Sequence, residues 1–112
     1  MLNNSPKLDR AFQALADPVR RGLLARLSLG PATVSELARP LPMSLPAVLQ
    51  HLKALEASGL VRSQKRGRVR TVSMEPRALS EAEGWLAECR KEWEALHDRF
   101  GAYVATLKPT GE

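Results

Sequence analysis

The sequence predicts a mainly helical fold that carries one small β-hairpin, and three observations support this prediction. Apolar residues recur at helical spacing along most of the chain, whereas residues 60–74 alternate in the manner of paired strands. Aromatic residues make up only 4% of the composition, so we expect a core of Leu, Val and Ala. The 112 residues suit one domain, 1–112, whose modest core would gain from a partner subunit.

Two N-terminal helices are predicted from a repeated start signal. The pairs Ser5-Pro6 and Asp17-Pro18 each place a capping side chain before a proline at the first helical position. The first helix is expected over residues 6–16, and the second ends before Gly30-Pro31. Helical spacing assigns these residues to the inward faces of the two helices: Leu8, Ala11, Phe12, Leu15, Val19, Leu23, Leu24 and Leu27.

Residues 33–59 have the pattern of two short helices joined by a tight turn. A T-x-x-E capping box begins the first helix at Thr33, and two prolines end it. Ser44 caps a second helix, predicted over Leu45–Ala57, and Gly59 suits a left-handed cap at its end. Its predicted inward face consists of Val48, Leu49, Leu52 and Leu55. This arrangement is a helix-turn-helix candidate.

Residues 60–74 change to the period of β-strands. Two alternating runs flank the turn signal Arg66-Gly67-Arg68, which predicts a β-hairpin. The hairpin is strongly basic, because five cations fall within nine residues without an acid among them: Arg62, Lys65, Arg66, Arg68 and Arg70. A helix-turn-helix followed by a basic hairpin is a winged-helix arrangement, in which the hairpin is the wing and its charges meet phosphate.

A long C-terminal helix is predicted over residues 79–107. Ser80 begins a second capping-box pattern, and the last five residues, 108–112, are expected to fray. Apolar positions then follow spacings of three and four over four heptads: Leu79, Ala82, Leu86, Cys89, Trp93, Leu96, Phe100, Tyr103 and Leu107. A seam of this kind favours a coiled-coil-like partner, so we expect a homodimer joined through this helix and assisted by the first helix.

The charge distribution points to a polyanionic partner for the front of the chain. The net charge of +5 divides into +8 for residues 1–78, with thirteen Lys/Arg against five Asp/Glu, and −3 for residues 79–112. No apolar run approaches the roughly 20 residues needed to cross a membrane, and the first ten residues lack a signal-peptide core. We therefore expect a cytoplasmic protein. The single Cys89 excludes a disulfide within one chain.

With these residues in view, the chain resembles the ArsR/SmtB-like family of winged-helix transcriptional regulators. The segments that carry the resemblance are FQALADPVRRGLLARL, SELA, MSLPAVLQHLKALEASGLV and the basic GRVRTVSM. The resemblance implies a dimeric DNA-binding repressor with its first and last helices at the dimer interface. Metal-sensing members carry a Cys-x-Cys motif where this chain has Val34–Ala38, and its adjacent His97 and Asp98 do not match the ligand pairs of other members. The expectation is a metal-independent branch with no metal and no cofactor.

The predicted recognition helix is Leu45–Ala57, whose first turns would enter the major groove. Gln50 suits a bidentate pair with adenine, and Ala47 suits a contact with a thymine methyl. His51 either donates to DNA or is a partly buried imidazole bonded to the backbone, whereas Leu49 is expected in the core. The predicted DNA-binding residues are Ser44, Ala47, Gln50, His51, Lys53, Arg62, Arg66, Arg68 and Arg70, with Thr33 and Arg20 touching the DNA backbone.

The predicted dimer interface consists of apolar residues from the first and last helices: Leu8, Phe12, Leu86, Cys89, Trp93, Leu96, Phe100 and Tyr103. A symmetric dimer presents two recognition helices, so the predicted partner is an inverted-repeat operator in double-stranded DNA. The operator, the regulated genes, the sign of regulation and any inducer are not written in the residues.

The sequence gives less support to other functional classes. The sequence has only two histidines and no catalytic motif, which argues against an enzyme. A redox- or metal-responsive sensor of the same fold that uses Cys89 stays open, although burial of Cys89 as a small apolar residue is favoured. A protein-interaction module that never binds DNA is also open, but the basic wing and the uneven charge argue against it.

Overall fold

The computed structural model describes residues 5–107 and confirms the mainly helical fold with a small β-hairpin. The 108–112 tail that was expected to fray lies outside the described residues. The elements in chain order are α1 (Pro6–Leu15), α2 (Pro18–Leu27), β1 (Ala32–Thr33), α3 (Val34–Ala38), α4 (Leu45–Ala57), β2 (Val61–Arg66), β3 (Val69–Met74) and α5 (Pro76–Thr106).

The capping residues assigned to the first four helices all make their bonds. Ser5 Oγ accepts from the Leu8 amide at 3.1 Å, and Asp17 Oδ1 accepts from the amides of Val19 and Arg20. The capping box of α3 is complete, since Thr33 Oγ1 accepts from the Glu36 amide while Glu36 Oε1 accepts from the Thr33 amide. Ser44 Oγ accepts from the Ala47 amide at 3.3 Å and begins α4.

A glycine cap ends α4 and directs the chain into the hairpin. Gly59 has φ +80°, a left-handed conformation that favours glycine. The Leu60 amide donates to the Leu55 carbonyl and the Gly59 amide donates to the Glu56 carbonyl, each at 3.0 Å. These are the two bonds of a Schellman motif, and they fix where β2 begins relative to the recognition helix.

The β-sheet has one strand more than the predicted hairpin. Strands β2 and β3 pair antiparallel as predicted, and β1 pairs with the other edge of β3, so that the order is β1-β3-β2. Ala32 lies opposite Val72, and Thr33 lies opposite Thr71. Because Thr33 also caps α3, this short strand attaches the start of the helix-turn-helix directly to the wing.

One apolar core lies in the first of two compact units, which ends at Ala82. It joins α2, α3, α4 and the sheet, and its largest fully buried side chains are Leu55, Leu60, Val48 and Val72. Helix α1 packs on α2 and α4, and the Lys7 Nζ atom lies 3.3 Å from Glu81 Oε1. The core includes six residues that helical spacing assigned to inward faces: Leu23, Leu24, Leu27, Val48, Leu52 and Leu55.

Leu49 is the exception, and its assignment to the core was wrong. Its side chain is 41% exposed and does not belong to the buried cluster. It lies one residue beyond Val48, about 100° around the helix, where the neighbouring wing leaves an open groove.

The last helix begins earlier than predicted. Helix α5 starts at Pro76 and ends at Thr106, so residues 77–79 are helical and Ser80 is not a cap. Proline needs no amide partner in a first turn, which allows this earlier start. The Ser80 hydroxyl instead donates to the Pro76 carbonyl at 3.2 Å, four residues back. Within residues 5–107 no helix is both long enough and apolar enough to cross a membrane.

The second unit comprises residues from Glu83 onward and carries an exposed apolar seam. Its large apolar side chains are 38–66% exposed: Trp85, Leu86, Trp93, Leu96, Phe100, Tyr103, Val104 and Leu107. Cys89 is also exposed, and the ring of Trp93 stacks on His97 with centroids 6.2 Å apart. The seam predicted from heptad spacing is therefore an uncovered surface from Leu86 onward, whereas its first two positions are covered within the single chain, since Ala82 is buried and Leu79 packs against the core.

Candidate nucleic-acid interface

The exposed face of α4 is centred on different residues from those that were predicted to face DNA. Leu45, Leu49, Gln50 and Lys53 are exposed, whereas Ala47 and His51 are half-buried. Exposed positions at spacings of three and four define a single strip along one side of the helix. This strip is the part of the recognition helix that is open to a ligand, and Ala47 lies at its margin.

His51 belongs to a polar cluster that ties α4 to the start of α2. Its Nδ1 atom accepts from Arg20 Nε at 3.3 Å and lies 3.9 Å from Asp17 Oδ1. Arg20 also donates through Nη1 to the Gln13 carbonyl. His51 is therefore partly buried and bonded, although its partner is a side chain and not the backbone. Contacts of His51 and Arg20 with DNA stay predictions.

The capping carboxylate of this cluster is stabilised in its ionised form. The amide of Arg20 donates to Asp17 and holds the pKa of that carboxyl below its usual range, and the amide of Val19 and the charges of His51 and Arg20 act in the same direction. An ionised Asp17 keeps α2 capped and keeps Arg20 and His51 in place beside the recognition helix.

The wing tip is a two-residue turn. Arg66 pairs with Val69, so Gly67 and Arg68 form the loop. Gly67 has φ +60°, and no non-glycine residue among the described ones has positive φ, which indicates a type II′ turn with glycine in its first position. Arg68 is consequently exposed at the tip, as predicted for a phosphate contact.

The strand register sorts the wing cations onto two faces. Lys65 lies opposite Arg70, on the same face as the Ser63–Val72 pair, and this face lies toward α4. Arg62 and Arg66 alternate onto the other face. Arg62 Nε lies 3.3 Å from Glu75 Oε2 at the base of the wing, so its charge is partly balanced there.

Arg70 is anchored toward the recognition helix. Its Nη1 donates to Ser63 Oγ at 2.9 Å, and Ser63 Oγ donates to Glu56 Oε2 of α4 at 3.3 Å. This chain of hydrogen bonds connects the middle of the wing to the C-terminal half of α4. It positions the wing relative to the helix that it flanks.

An open groove separates α4 from the wing and consists of two adjoining cavities of about 390 and 400 Å³. Leu49 and Arg70 line both cavities. The inner one has an apolar floor that includes Val61 and Val72, and the outer one reaches Thr33 and Ser35 at the start of α3. Its cationic lining residues are Lys53, Lys65, Arg68 and Arg70.

The structure brings four of the eleven predicted DNA-binding residues to this groove. These four are Thr33, Lys53, Arg68 and Arg70, and Gln50 is exposed on the same helix as Lys53. Arg20 and His51 lie apart, in the cluster at the start of α2. The lining residues that the sequence did not assign to DNA binding include Ser35, Leu45, Leu49 and Lys65. Strand alternation was a usable signal for Lys65, because it places Lys65 on the face of Arg70.

These features define the class of protein. A short helix, a turn and a longer recognition helix precede a basic hairpin, and cations surround the exposed strip of the recognition helix. Among residues 5–107, no three His, Cys, Asp or Glu side chains are grouped as metal ligands. The arrangement is that of a winged helix-turn-helix module, whose chemistry is the binding of duplex DNA.

Comparison with known proteins identifies the family. A helix-turn-helix domain model matches residues 15–64. The chain is 50% identical over 72 residues to the HTH-type transcriptional regulator Rv2034 of Mycobacterium tuberculosis, covering 64% of this chain and 67% of that protein. It is 32% identical over 98 residues to the arsenical resistance operon repressor of Escherichia coli, covering 86% of this chain and 80% of that protein.

Solved structures agree with these relatives. A crystal structure of an ArsR family transcriptional regulator superposes with a TM-score of 0.79 at 51% identity, over 84% of this chain and 97% of that one. An ArsR-like transcriptional regulator from Rhodococcus sp. RHA1 superposes with a TM-score of 0.71 at 33% identity, over 93% and 94% of the two chains. The chain belongs to the ArsR/SmtB family of DNA-binding transcriptional regulators.

Proposed function

We propose that this DNA-binding transcriptional regulator is a repressor that recognises an inverted-repeat operator as a homodimer. The observation that carries the proposal is the exposed strip of α4 beside a wing whose cations, Lys65, Arg68 and Arg70, surround the same groove. Such a surface fits a recognition helix in the major groove with the wing on the flanking phosphates.

Base reading is assigned to the exposed part of α4. Gln50 is exposed, and its amide group suits the paired donor and acceptor of adenine. The Thr33 and Ser44 hydroxyls already accept from helix amides, and each retains a proton to donate to phosphate. Arg68 at the wing tip supplies a contact that is independent of sequence.

The homodimer is supported by the exposed seam of the second unit. Trp93, Leu96 and Phe100 are each more than half exposed in the single chain. Contiguous apolar side chains of this size are unfavourable in water and mark an interaction surface. Heptad spacing argues that the occupant is the same helix of a second copy. Leu8, in contrast, is only 7% exposed within one chain, so it has little area left to contribute.

Repression is supported by the names of two relatives. The 25%-identical relative from Bacillus subtilis is a transcriptional repressor, and so is the arsenical resistance operon protein of Escherichia coli. A dimer that occupies an operator within a promoter would block transcription from it. Two recognition helices related by a two-fold axis require half-sites about 10 base pairs apart, or a multiple of that distance.

Selection from a pool of random DNA duplexes tests the proposal and does not require the operator to be identified beforehand. The full chain is incubated with the pool at moderate salt, and bound duplexes are amplified and sequenced over successive rounds. We expect enrichment of an inverted repeat. Enrichment of a single unrepeated site would contradict the dimeric operator, and no enrichment would contradict sequence-specific binding.

A matched pair of variants separates base reading from charge. Gln50→Ala should relax the selected motif at one position in each half-site, because only that base pair loses its partner. Arg68→Ala should weaken binding to every duplex and leave the motif unchanged. A motif that stays the same in Gln50→Ala would remove Gln50 from base reading.

A further inference from the structure

The least expected feature of the DNA-binding face is its exposed leucines. Leu45 is 51% exposed and Leu49 is 41% exposed, and the two lie four residues apart on the same side of α4. Both line the outer cavity of the groove, and Leu49 lines the inner one as well. Together with the apolar floor of the inner cavity, the two leucines form an exposed apolar patch, and a patch of this kind marks a binding surface.

The charges around the two leucines favour one kind of partner. Lys53, Lys65, Arg68 and Arg70 line the groove, and Glu56 is the only acid among its described lining residues. Glu56 is already bonded to Ser63, which also holds Arg70. An apolar patch enclosed by cations fits a partner that carries rows of negative charges with apolar groups between them. Duplex DNA has this chemistry where thymine methyl groups project into the major groove between the phosphates.

Ala47 is less suited to this contact. It is half-buried and lies at the margin of the exposed strip, whereas Leu49 extends further from the helix axis and is more exposed. Gln50 lies next to Leu49 in the chain and is exposed, so an amide group and an apolar side chain occupy adjacent places on the reading face. A neighbouring thymine and adenine would be read together by such a pair.

We propose that Leu49, supported by Leu45, is a specificity-determining residue that recognises the 5-methyl groups of thymines in each operator half-site. This inference rests on the proposed function, since it requires a sequence-specific complex. The group that Leu45 and Leu49 contact is an apolar methyl group in the major groove. The half-site is therefore predicted to contain thymine opposite these two residues.

Replacement of thymine by deoxyuridine tests the inference, because it removes the methyl group and nothing else. Each thymine of the selected operator is replaced in turn, and the affinity of the wild-type chain is measured by fluorescence anisotropy. We expect about a fourfold loss at one or two positions of each half-site, the factor that corresponds to one lost methyl contact. No loss at any thymine would overturn the inference.

Variants of Leu49 assign the effect to the residue. Leu49→Ala should bind the thymine and deoxyuridine operators equally at those positions, whereas Leu49→Met, which keeps an apolar side chain, should retain the preference for thymine. Leu29→Ala is the matched control, because Leu29 is 84% exposed and lies in the loop after α2. It should show the wild-type pattern.

The outcomes separate this inference from the proposed function. A Leu49→Ala chain that keeps the wild-type loss at every deoxyuridine would overturn the role of Leu49, while leaving sequence-specific binding intact. Wild-type binding that does not distinguish the operator from random DNA would contradict the proposed function, and the inference would fall with it. Circular dichroism melts of each variant verify that a lost preference does not arise from a lost fold.

Discussion

Two capping carboxylates, Asp17 and Glu36, contribute their charge to the fold of the DNA-binding unit. The Thr33 amide donates to Glu36 and holds the pKa of that carboxyl below its usual range, and the Thr33 side chain adds to the effect. The pKa of Asp17 is lowered in the same direction. Because both groups favour the ionised form in the folded chain, the stability they contribute is present at neutral pH.

Acid should therefore weaken the fold through these two caps. A carboxyl with a lowered folded pKa stabilises fully above its unfolded pKa of roughly 4, and this stabilisation is lost as the pH falls through the folded value. Thermal melts between roughly pH 2 and pH 6 should show this loss in the wild type. Glu36→Gln, which cannot titrate, should show a smaller dependence, and an unchanged dependence would contradict the assignment to Glu36.

Gly67 is the residue on which the wing turn depends. Its φ of +60° disfavours any side chain, although a Cβ atom there would meet no heavy atom within 4 Å. Gly67→Ala should therefore lower the free energy of unfolding by about 1 kcal/mol through backbone strain alone. Asparagine tolerates this conformation better, so Gly67→Asn should cost less.

A second glycine gives the matched control for this measurement by urea denaturation. Gly22 lies inside the helix α2 and also has open space around its Cβ position. Gly22→Ala should raise the free energy of unfolding by about 0.5–1 kcal/mol, since alanine is the better helix former. Equal effects at the two glycines would contradict the turn assignment.

Prediction of single residues from sequence worked where the signal is local. The caps of the first four helices, Gly59 and the turn at Gly67 were assigned correctly, because each depends on its immediate neighbours in the chain, whereas Ser80 was wrongly assigned as a cap. Leu49 was misassigned, because its exposure depends on where the wing lies relative to α4. Helical spacing places a residue near the apolar face, but the neighbouring element decides whether the edge of that face is covered.

At the level of the elements, the recognition helix and the wing together form the surface proposed to bind DNA. Arg70, Ser63 and Glu56 connect them by hydrogen bonds, and β1 attaches the start of α3 to the opposite edge of β3. The hairpin was predicted from its alternation and turn, but β1 was not, since two residues are too few to show a period. The early start of α5 was missed because the capping-box pattern at Ser80 predicted a start at that residue.

Arg68→Ala tests the role of the wing as an element. The guanidinium is exposed at the tip, so its loss should weaken binding to operator and random DNA by similar factors. It should also reduce the dependence of log K on log salt by about one unit, because one fewer phosphate is neutralised. Anisotropy titrations at several salt concentrations measure both quantities.

Arg90→Ala is the matched control, since Arg90 is an exposed arginine on α5 and outside the groove. It should leave the salt slope unchanged. The same reduction in both variants would show that net charge, and not the wing, determines the slope.

Over the molecule as a whole, the two units have different surfaces. The first contains the core and the basic groove, and the second carries the exposed apolar seam. Charge and heptad spacing indicated this division from the sequence. A redox role for the exposed Cys89 stays a prediction.

A charge placed on the apolar seam should dissociate the proposed homodimer. Leu96→Glu places a carboxylate on a surface that is more than half exposed in the single chain, so the monomer fold should be retained while self-association is lost. Analytical ultracentrifugation measures the mass, and affinity for the inverted repeat should fall because only one half-site is held at a time. Lys91→Glu, an exposed charge change on the same helix, is the control. A variant that stays dimeric would contradict the seam as the interface.

The most direct test of sequence-specific DNA binding by the groove is a titration with two fluorescent duplexes. One duplex comes from the promoter region of the protein's own gene and the other has a random sequence, and each is titrated with the protein at two salt concentrations. We expect tight binding that prefers the promoter and persists at moderate salt, with two chains bound per operator. Equal affinity for both duplexes that disappears with salt would show only the non-specific attraction of a basic surface. No binding at low salt would contradict the assignment of the groove to DNA.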